Sequence, residues 1–305
     1  MSTSRKNPVT AAETHSAVEI VDTAPAKVNL TLRVLGRRPD GYHEIESLVA
    51  FADLCDRLSY APDNQLKLNV IGPGAGQTGQ DGENLVLKAA HILAARIPGL
   101  TLGAFRLQKS LPVAAGLGGG SSDAAAALRL LARANGLAAA DPRLYEAARS
   151  TGADVLVCLD PQPRLMRGIG EILSEPIALP RLCALLVNPG IALKTKSVFS
   201  GWRASANNAP LFELAAGAKM QNENEVLRWL ASQANDLEAA AIALAPAIAE
   251  VLAALRALEG CRLARMSGSG ATCFGLFSSP AKRQAGAEDL RIKFRDWWIA
   301  ETALG

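Results

Sequence analysis

A glycine-rich segment near the middle of the chain has the residue types and spacing to bind phosphate. It reads Gly116, Leu117, Gly118, Gly119, Gly120, Ser121, Ser122 and Asp123, between a short strand-like segment and an alanine-rich helical segment. Glycine lets backbone N–H groups approach a ligand closely, and the N-terminus of a helix favours an anion. Ser and Asp are typical caps of such a helix. A flexible linker is the alternative, but the flanking elements favour a phosphate-binding loop.

The loop differs from two common glycine-rich nucleotide motifs. The chain contains no G-K-[ST], which excludes a Walker A loop. Read from Gly116, the dinucleotide pattern G-x-G-x-x-G/A would need Gly or Ala where Ser121 stands. The sequence therefore predicts a phosphate-binding loop of a third kind.

Three other short segments carry residues that could act on a phosphorylated ligand. Lys27 and Asn29 lie on the polar side of an alternating segment, and Asp154 precedes an apolar run. Residues 267–272 form a second run of small residues, which could help the chain close around a polyphosphate. Each segment also has an ordinary explanation: a solvated strand face, a cap or turn residue, and a hairpin turn. None of them decides function by itself.

In this order, the segments resemble the GHMP kinase superfamily, named after galactokinase and the homoserine, mevalonate and phosphomevalonate kinases. From Pro112 the glycine loop matches the signature P-x-x-x-G-L-G-x-x-S-S. Asp40-Gly-Tyr-His43 is typical of the branch that phosphorylates 4-diphosphocytidyl-2-C-methyl-D-erythritol. The similarity runs from about residue 24 to 277, with further matches at residues 24–30, 152–155, 167–171, 235–238 and 266–272. Leu156 and Val157 depart from it, because Pro and Phe are usual there.

The resemblance implies an α+β protein with a two-domain GHMP kinase fold. The N-terminal, ATP-binding domain would be ribosomal-protein-S5-like and span residues 18–175. The C-terminal domain would be ferredoxin-like and span residues 176–305, with the active site in the cleft between the two. Residues 1–17 are rich in Ser, Thr and Ala and are predicted to be a disordered leader.

The resemblance also implies the reaction, in which the γ-phosphoryl group of ATP is transferred to the 2-hydroxyl of the cytidylyl substrate. Mg²⁺ would accompany the nucleotide. Asp154 would be the general base, while Lys27 would keep it ionised and stabilise charge on the transferred group. The hydroxyl of Ser121 or Ser122 could reach a phosphate or Mg²⁺, but no metal ligand is assigned. Phosphate would be bound by Pro112, Ala115, Gly116, Leu117, Gly118, Gly119, Gly120, Ser121 and Ser122. The substrate would be contacted by Asn29 and, at its cytidine end, by Tyr42, His43 and Phe199.

The implied reaction is a step of the methylerythritol phosphate pathway to isoprenoids. Two alternative functions stay open beside it. A GHMP kinase for another alcohol, such as homoserine or mevalonate, would share the glycine loop but would not explain Asp40-Gly-Tyr-His43. A nucleotide-binding or regulatory protein that lacks catalysis would not explain Lys27 together with Asp154.

The elements that must position these residues follow from periodicity and turn residues. Strict alternation predicts a half-buried strand over residues 27–34, a second strand over 43–53, and runs near 58 and 66–70 that extend an antiparallel pattern. Helices are predicted over residues 83–97, from the glycine loop to 135, and over 141–150, 226–233 and 246–259. Further strands are predicted over 104–109, 182–187, 263–266 and 272–277, with an irregular stretch over 200–224. Because no regular βαβ alternation appears, the pattern favours α+β architecture.

Composition narrows the remaining classes of protein. Hydrophobic residues make up 49% and charged residues 20% of the 305 residues, which excludes a disordered chain. The net charge of +3 is too small to indicate a nucleic-acid or membrane partner. The resemblance implies two small-molecule partners, ATP and the cytidylyl substrate, and the protein is expected to be a monomer or weak homodimer. Five cysteines without a C-x-x-C pair predict reduced, buried thiols in a cytoplasmic protein. Three His argue against a histidine-based metal site.

Overall fold

The computed structural model describes residues 19–78, 84–204 and 222–305. The predicted leader, residues 1–17, and residues 205–221 of the predicted irregular stretch lie outside the described residues. The described strands are β1 (Ile20–Asn29), β2 (Arg33–Arg37), β3 (His43–Pro62), β4 (Lys67–Ile71), β5 (Gly103–Gln108), β6 (Arg164–Gly168), β7 (Ile172–Leu173), β8 (Leu182–Asn188), β9 (Cys261–Met266), β10 (Cys273–Phe277) and β11 (Trp298–Leu304). The described helices are α1 (Leu85–Arg96), α2 (Gly119–Ala134), α3 (Pro142–Thr151), α4 (Val155–Leu159), α5 (Thr195–Gly201), α6 (Glu223–Ala231), α7 (Glu238–Leu244), α8 (Ala247–Ala257) and α9 (Pro280–Lys293). The mixture confirms the predicted α+β class.

The long strand β3 organises the sheet. It pairs antiparallel with β1, β2, β5 and β6, and its Ala52 pairs with Leu304 of β11. β11 in turn pairs along its length with β8, which is followed by β10 and β9. The C-terminal strand therefore joins the strands of both halves of the chain in one sheet.

The alanine-rich helix α2 packs closely on this sheet because its side chains are small. Ala124, Ala125, Ala126 and Ala127 are fully buried, in a core that β1, β3, α1 and α4 also supply. A helix that is enclosed in this way cannot shift easily, since protein cores are close-packed. The packing therefore fixes the N-terminus of α2, and with it the glycine loop, beside β1.

The two halves of the chain share their remaining cores. Val34 belongs to the same buried cluster as Ile248, and Leu30 to the same cluster as Phe274. The predicted boundary near Glu175 lies in the connection between β7 and β8. The division into two folding units stays a prediction. Within the part of the chain that the structure describes, no helix is long and apolar enough to cross a membrane.

Three predictions about strands were wrong. The alternating segment over residues 27–34 is not one half-buried strand, because β1 ends at Asn29 and β2 begins at Arg33. Its polar face is also buried, with Lys27 and Asn29 each 3% exposed, because the glycine loop covers it. The predicted strand over residues 43–53 continues to Pro62 as β3. β4 pairs parallel with β5, not antiparallel, because the chain between them crosses over through α1.

Several elements escaped prediction from the sequence. They are α4, α5, α9, β6, β7 and β11. The stretch predicted to be irregular begins inside α5 and ends inside α6. Of the five free cysteines, Cys158 and Cys273 are buried as predicted, whereas the other three are half-buried.

Candidate active site

The glycine loop begins α2 without any side-chain cap. Gly118 is the N-cap residue with φ +61°, and Gly116 has φ +77°, both in the left-handed region that favours glycine. The predicted capping by Ser or Asp was wrong, because the hydroxyl of Ser122 donates to the carbonyl of Pro25 at 2.6 Å. The first N–H groups of a helix have no partner within the helix. Here they remain available to an anion.

The second small-residue turn, residues 267–270, interlocks with the glycine loop. The hydroxyl of Ser267 donates to the carbonyl of Gly116 at 2.9 Å and accepts the N–H of Asn29 at 3.1 Å. A Cβ on Gly116 would lie 2.4 Å from the carbonyl oxygen of Ser267. Asn235 holds the turn from the other side, because its side-chain amide donates to the carbonyls of Met266 and Gly268, each at 2.8 Å. The turn is therefore both a hairpin turn and a wall of the phosphate-binding loop.

Lys27 and Asp154, which the sequence separates by more than a hundred residues, form an ion pair. The Nζ of Lys27 lies 2.8 Å from Oδ2 of Asp154, and the side chains are 4% and 37% exposed. Lys27 lies on β1 under Gly118, whose Cβ position is 3.2 Å from the Cβ of Lys27. Asp154 is the residue that precedes α4. The pair gives the loop one buried ammonium and one carboxylate that solvent can reach.

A cavity of about 620 Å³ lies against this loop. Of the predicted site residues, those that line it are Lys27, Asn29, Pro112, Ala115, Gly116, Gly118, Gly119, Gly120, Ser121, Asp154 and Phe199. Leu117 and Ser122 are buried away from it. Of the two serines, Ser121 is therefore the one placed to meet a ligand.

The predicted cytidine-end residues are only partly together. The ring of His43 lies 4.9 Å from that of Phe199 and meets Trp202 edge-on at 5.7 Å. Burial and the neighbouring Arg37 lower the pKa of His43, which favours the neutral ring. Tyr42, in contrast, is 59% exposed, and its backbone N–H donates to Asp40.

A buried charge cluster that the sequence did not predict lies under the start of α2. The Nζ of Lys109 lies 2.5 Å from Asp56 and 2.6 Å from Asp123. Desolvation acts to lower the pKa of Lys109, but the charges of Asp123 and Asp56 outweigh it and raise that pKa. Burial raises the pKa of Asp123 to about 7, against the opposing charge of Lys109. Lys109 and Asp123 both line the cavity.

The functional residues that were not predicted differ in how strong a signal the sequence carried for them. Asp123 stood in the glycine motif but was assigned a capping role, and Asn235 stood in a matched segment without a role. Lys109 ends an alternating strand, where a lysine is usually solvated. Trp202 gave no periodic signal, because it follows a short helix of seven residues.

Comparison with known proteins finds relatives over nearly the whole chain. Residues 84–160 match the model of the GHMP kinases N-terminal domain, and residues 213–296 match that of the GHMP kinases C-terminal domain. A relative from Rhodopseudomonas palustris named 4-diphosphocytidyl-2-C-methyl-D-erythritol kinase is 53% identical over 295 residues, which cover 95% of this chain and 98% of the relative. One of the same name from Methylorubrum extorquens is 54% identical over 92% of this chain and 97% of its own length. A solved structure of 4-(cytidine 5'-diphospho)-2C-methyl-D-erythritol kinase superimposes with a TM-score of 0.74 at 35% identity, covering 94% of this chain and 99% of that one.

Proposed function

The chain belongs to the GHMP kinase family, and on that premise we propose that it transfers the γ-phosphoryl group of ATP to the 2-hydroxyl of 4-diphosphocytidyl-2-C-methyl-D-erythritol. The products are the 2-phosphate and ADP, and the reaction belongs to the methylerythritol phosphate pathway of isoprenoid synthesis. The names of relatives at about half identity over nearly the whole chain support this substrate. The ion pair between Lys27 and Asp154 beside the glycine loop carries the proposed chemistry.

Phosphoryl transfer needs alignment, charge neutralisation and an acceptor for the hydroxyl proton. Asp154 accepts that proton while the substrate oxygen forms a bond to the γ-phosphorus and the bond from phosphorus to the bridging oxygen of ADP breaks. Lys27, 2.8 Å from Asp154, orients the carboxylate and stabilises charge on the transferred group. Backbone N–H groups at the start of α2 bind the phosphates of the nucleotide.

The remaining contacts orient the alcohol. Asn29 lines the cavity on the same strand as Lys27, two residues further on, and its side-chain amide donates to Ser47 at 2.7 Å. This bond fixes the amide so that its oxygen is free to accept from the substrate. Phe199, which lines the cavity, and His43, whose ring packs against Phe199, meet the cytosine, and Trp202 lies edge-on to His43.

The site also fits Mg²⁺, because Asp123, which lines the cavity, has a buried carboxylate oxygen without a hydrogen-bond partner among the described residues. Mg²⁺ prefers oxygen ligands and is usually held by one or two carboxylates together with substrate phosphates. Bound with ATP, it would neutralise charge on the β- and γ-phosphates.

Two substitutions test the chemistry. Asp154→Asn keeps the shape of the side chain but removes the base, so kcat should fall about 10²–10⁴-fold while ATP affinity stays nearly unchanged. Lys27→Met should cause a similar loss, and the double variant should lose less than the product of the two, because the pair acts as a unit. Steady-state ADP release and calorimetry of ATP binding measure both quantities. Near-normal turnover of Asp154→Asn would remove Asp154 from the mechanism.

A further inference from the structure

One carboxylate oxygen of Asp123 has no partner. Its Oδ2 lies 2.6 Å from Lys109, whereas its Oδ1 is buried and accepts no hydrogen bond from any described residue. The other acid of the cluster is saturated, because Asp56 binds Lys109 and also accepts the backbone N–H groups of Ser110 and Leu111. A buried polar atom without a partner costs about 1–3 kcal/mol, and more when it is charged. Such an atom beside a ligand cavity points to a missing ligand.

The charged cluster lies close to the phosphate-binding backbone at Gly119. A Cβ on Gly119 would lie 3.0 Å from Nζ of Lys109 and 3.8 Å from Oδ2 of Asp56. Gly119 therefore puts no side chain between the charged cluster and the cavity, which Asp123 itself lines.

The other carboxylate at the cavity is a poorer candidate. Among the described residues, two acids line the cavity, Asp123 and Asp154. Asp154 is paired with Lys27 and serves as the proposed base, and direct coordination of a cation would reduce its basicity. The described residues hold no group of three or more potential metal ligands. A single carboxylate matches the way Mg²⁺ is bound with a nucleotide, where waters and phosphates supply the other ligands.

We infer that Oδ1 of Asp123 is the protein's ligand to the Mg²⁺ that accompanies the nucleotide, with Lys109 and Asp56 as the residues that position it. Two carboxyl groups share one ammonium in this cluster, so a cation suits the site better than a bare phosphate does. The inference rests on the proposed function only in requiring that the protein binds an adenine nucleotide.

The test is the Mg²⁺ dependence of ADP binding, measured by calorimetry with and without Mg²⁺. In Asp123→Asn, the gain in ADP affinity that Mg²⁺ brings should fall about 10-fold or more. Metal-free ADP should bind within about threefold of wild type, because the near-isosteric amide can still accept from Lys109. Asp296→Asn, which removes one negative charge at an exposed residue outside the cavity lining, should retain the full Mg²⁺ effect.

Three outcomes would overturn the inference. In the first, Asp123→Asn keeps the full gain in ADP affinity that Mg²⁺ brings. In the second, Asp123→Asn weakens metal-free and Mg²⁺-supported ADP binding equally, which indicates a structural role. In the third, Asp154→Asn, and not Asp123→Asn, loses the gain in ADP affinity. A wild-type protein that binds no ADP would contradict the proposed function itself. Mn²⁺ binding to the ADP complex, followed by electron paramagnetic resonance, provides a second readout. Gly119→Ala, whose Cβ would crowd Lys109, should weaken Mn²⁺ binding even if Asp123→Asn does not fold, and unchanged Mn²⁺ affinity would contradict the proposal.

Discussion

The two small-residue turns pack too closely to admit a side chain at Gly116, and Gly116→Ala tests this packing. The new Cβ would lie 2.4 Å from the carbonyl oxygen of Ser267 and 2.8 Å from that of Gly270. The turn must retreat by about 0.6 Å or more before the shorter contact reaches 3.0 Å. The change also puts an alanine at φ +77°.

The expected loss of stability is the sum of two costs, one from the left-handed backbone and one from the crowded Cβ. A left-handed backbone costs a non-glycine residue about 1–2 kcal/mol. Forcing an extra methyl into a packed site costs about 1–3 kcal/mol more. Gly116→Ala should therefore lower the free energy of unfolding by about 2–5 kcal/mol. Because a misplacement approaching 1 Å can cost about 10²-fold, kcat/KM for ATP should fall by about that factor.

Gly136→Ala is the matched control. Gly136 follows the other end of α2 with φ +65°, but its Cβ position has open space around it. Its substitution should cost only the backbone term of about 1–2 kcal/mol and should leave ATP binding unchanged. Urea denaturation and ATP titration of both variants measure the difference. Equal stability losses in the two, or normal ATP binding by Gly116→Ala, would refute the interlocked turns.

Three further predictions concern the base pocket, the core and a thiol. Phe199→Ala should raise the KM for the cytidylyl substrate about 5- to 150-fold and leave the KM for ATP unchanged. Equal weakening of both substrates would indicate general destabilisation. Arg265→Met should lower the free energy of unfolding in urea by about 3–5 kcal/mol, because the buried guanidinium donates to three backbone carbonyls at 2.6–2.8 Å. A loss below 1 kcal/mol would contradict this role. Burial raises the pKa of Cys158 to about 12, so mass spectrometry should find it unalkylated by iodoacetamide at pH 8 until the protein unfolds, and rapid native labelling would show that it is accessible.

The sequence predicted the parts of the site that local patterns encode. The glycine loop at the start of α2, and helices such as α1 and α3, follow from residue type and spacing over a few turns. The contact between Lys27 and Asp154 came from family resemblance, because nothing local relates β1 to α4. The structure brings these two side chains within 2.8 Å of each other.

What the sequence could not predict depends on contacts between distant segments. Alternation put Lys27 on the polar side of a half-buried strand and left a solvated face open, because it reports only the polarity of residues and not what covers them. β11 was missed although it joins the two halves of the sheet, since its short run, Trp298–Leu304, alternates weakly. The charge cluster of Asp56, Lys109 and Asp123 combines β3, the end of β5 and α2, and no spacing rule links these elements.

The central claim is the identity of the acceptor alcohol, and a comparison of three alcohols tests it directly. Coupled ADP release should be compared for 4-diphosphocytidyl-2-C-methyl-D-erythritol, mevalonate and homoserine at equal ATP and Mg²⁺. The cytidylyl substrate should have a kcat/KM about 10³-fold or more above that of either other alcohol. Only this substrate contacts both the aromatic rings of His43 and Phe199 and the ion pair of Lys27 and Asp154. Equal or faster turnover of mevalonate or homoserine would contradict the assigned substrate, and no ADP release with any of the three would contradict catalysis itself.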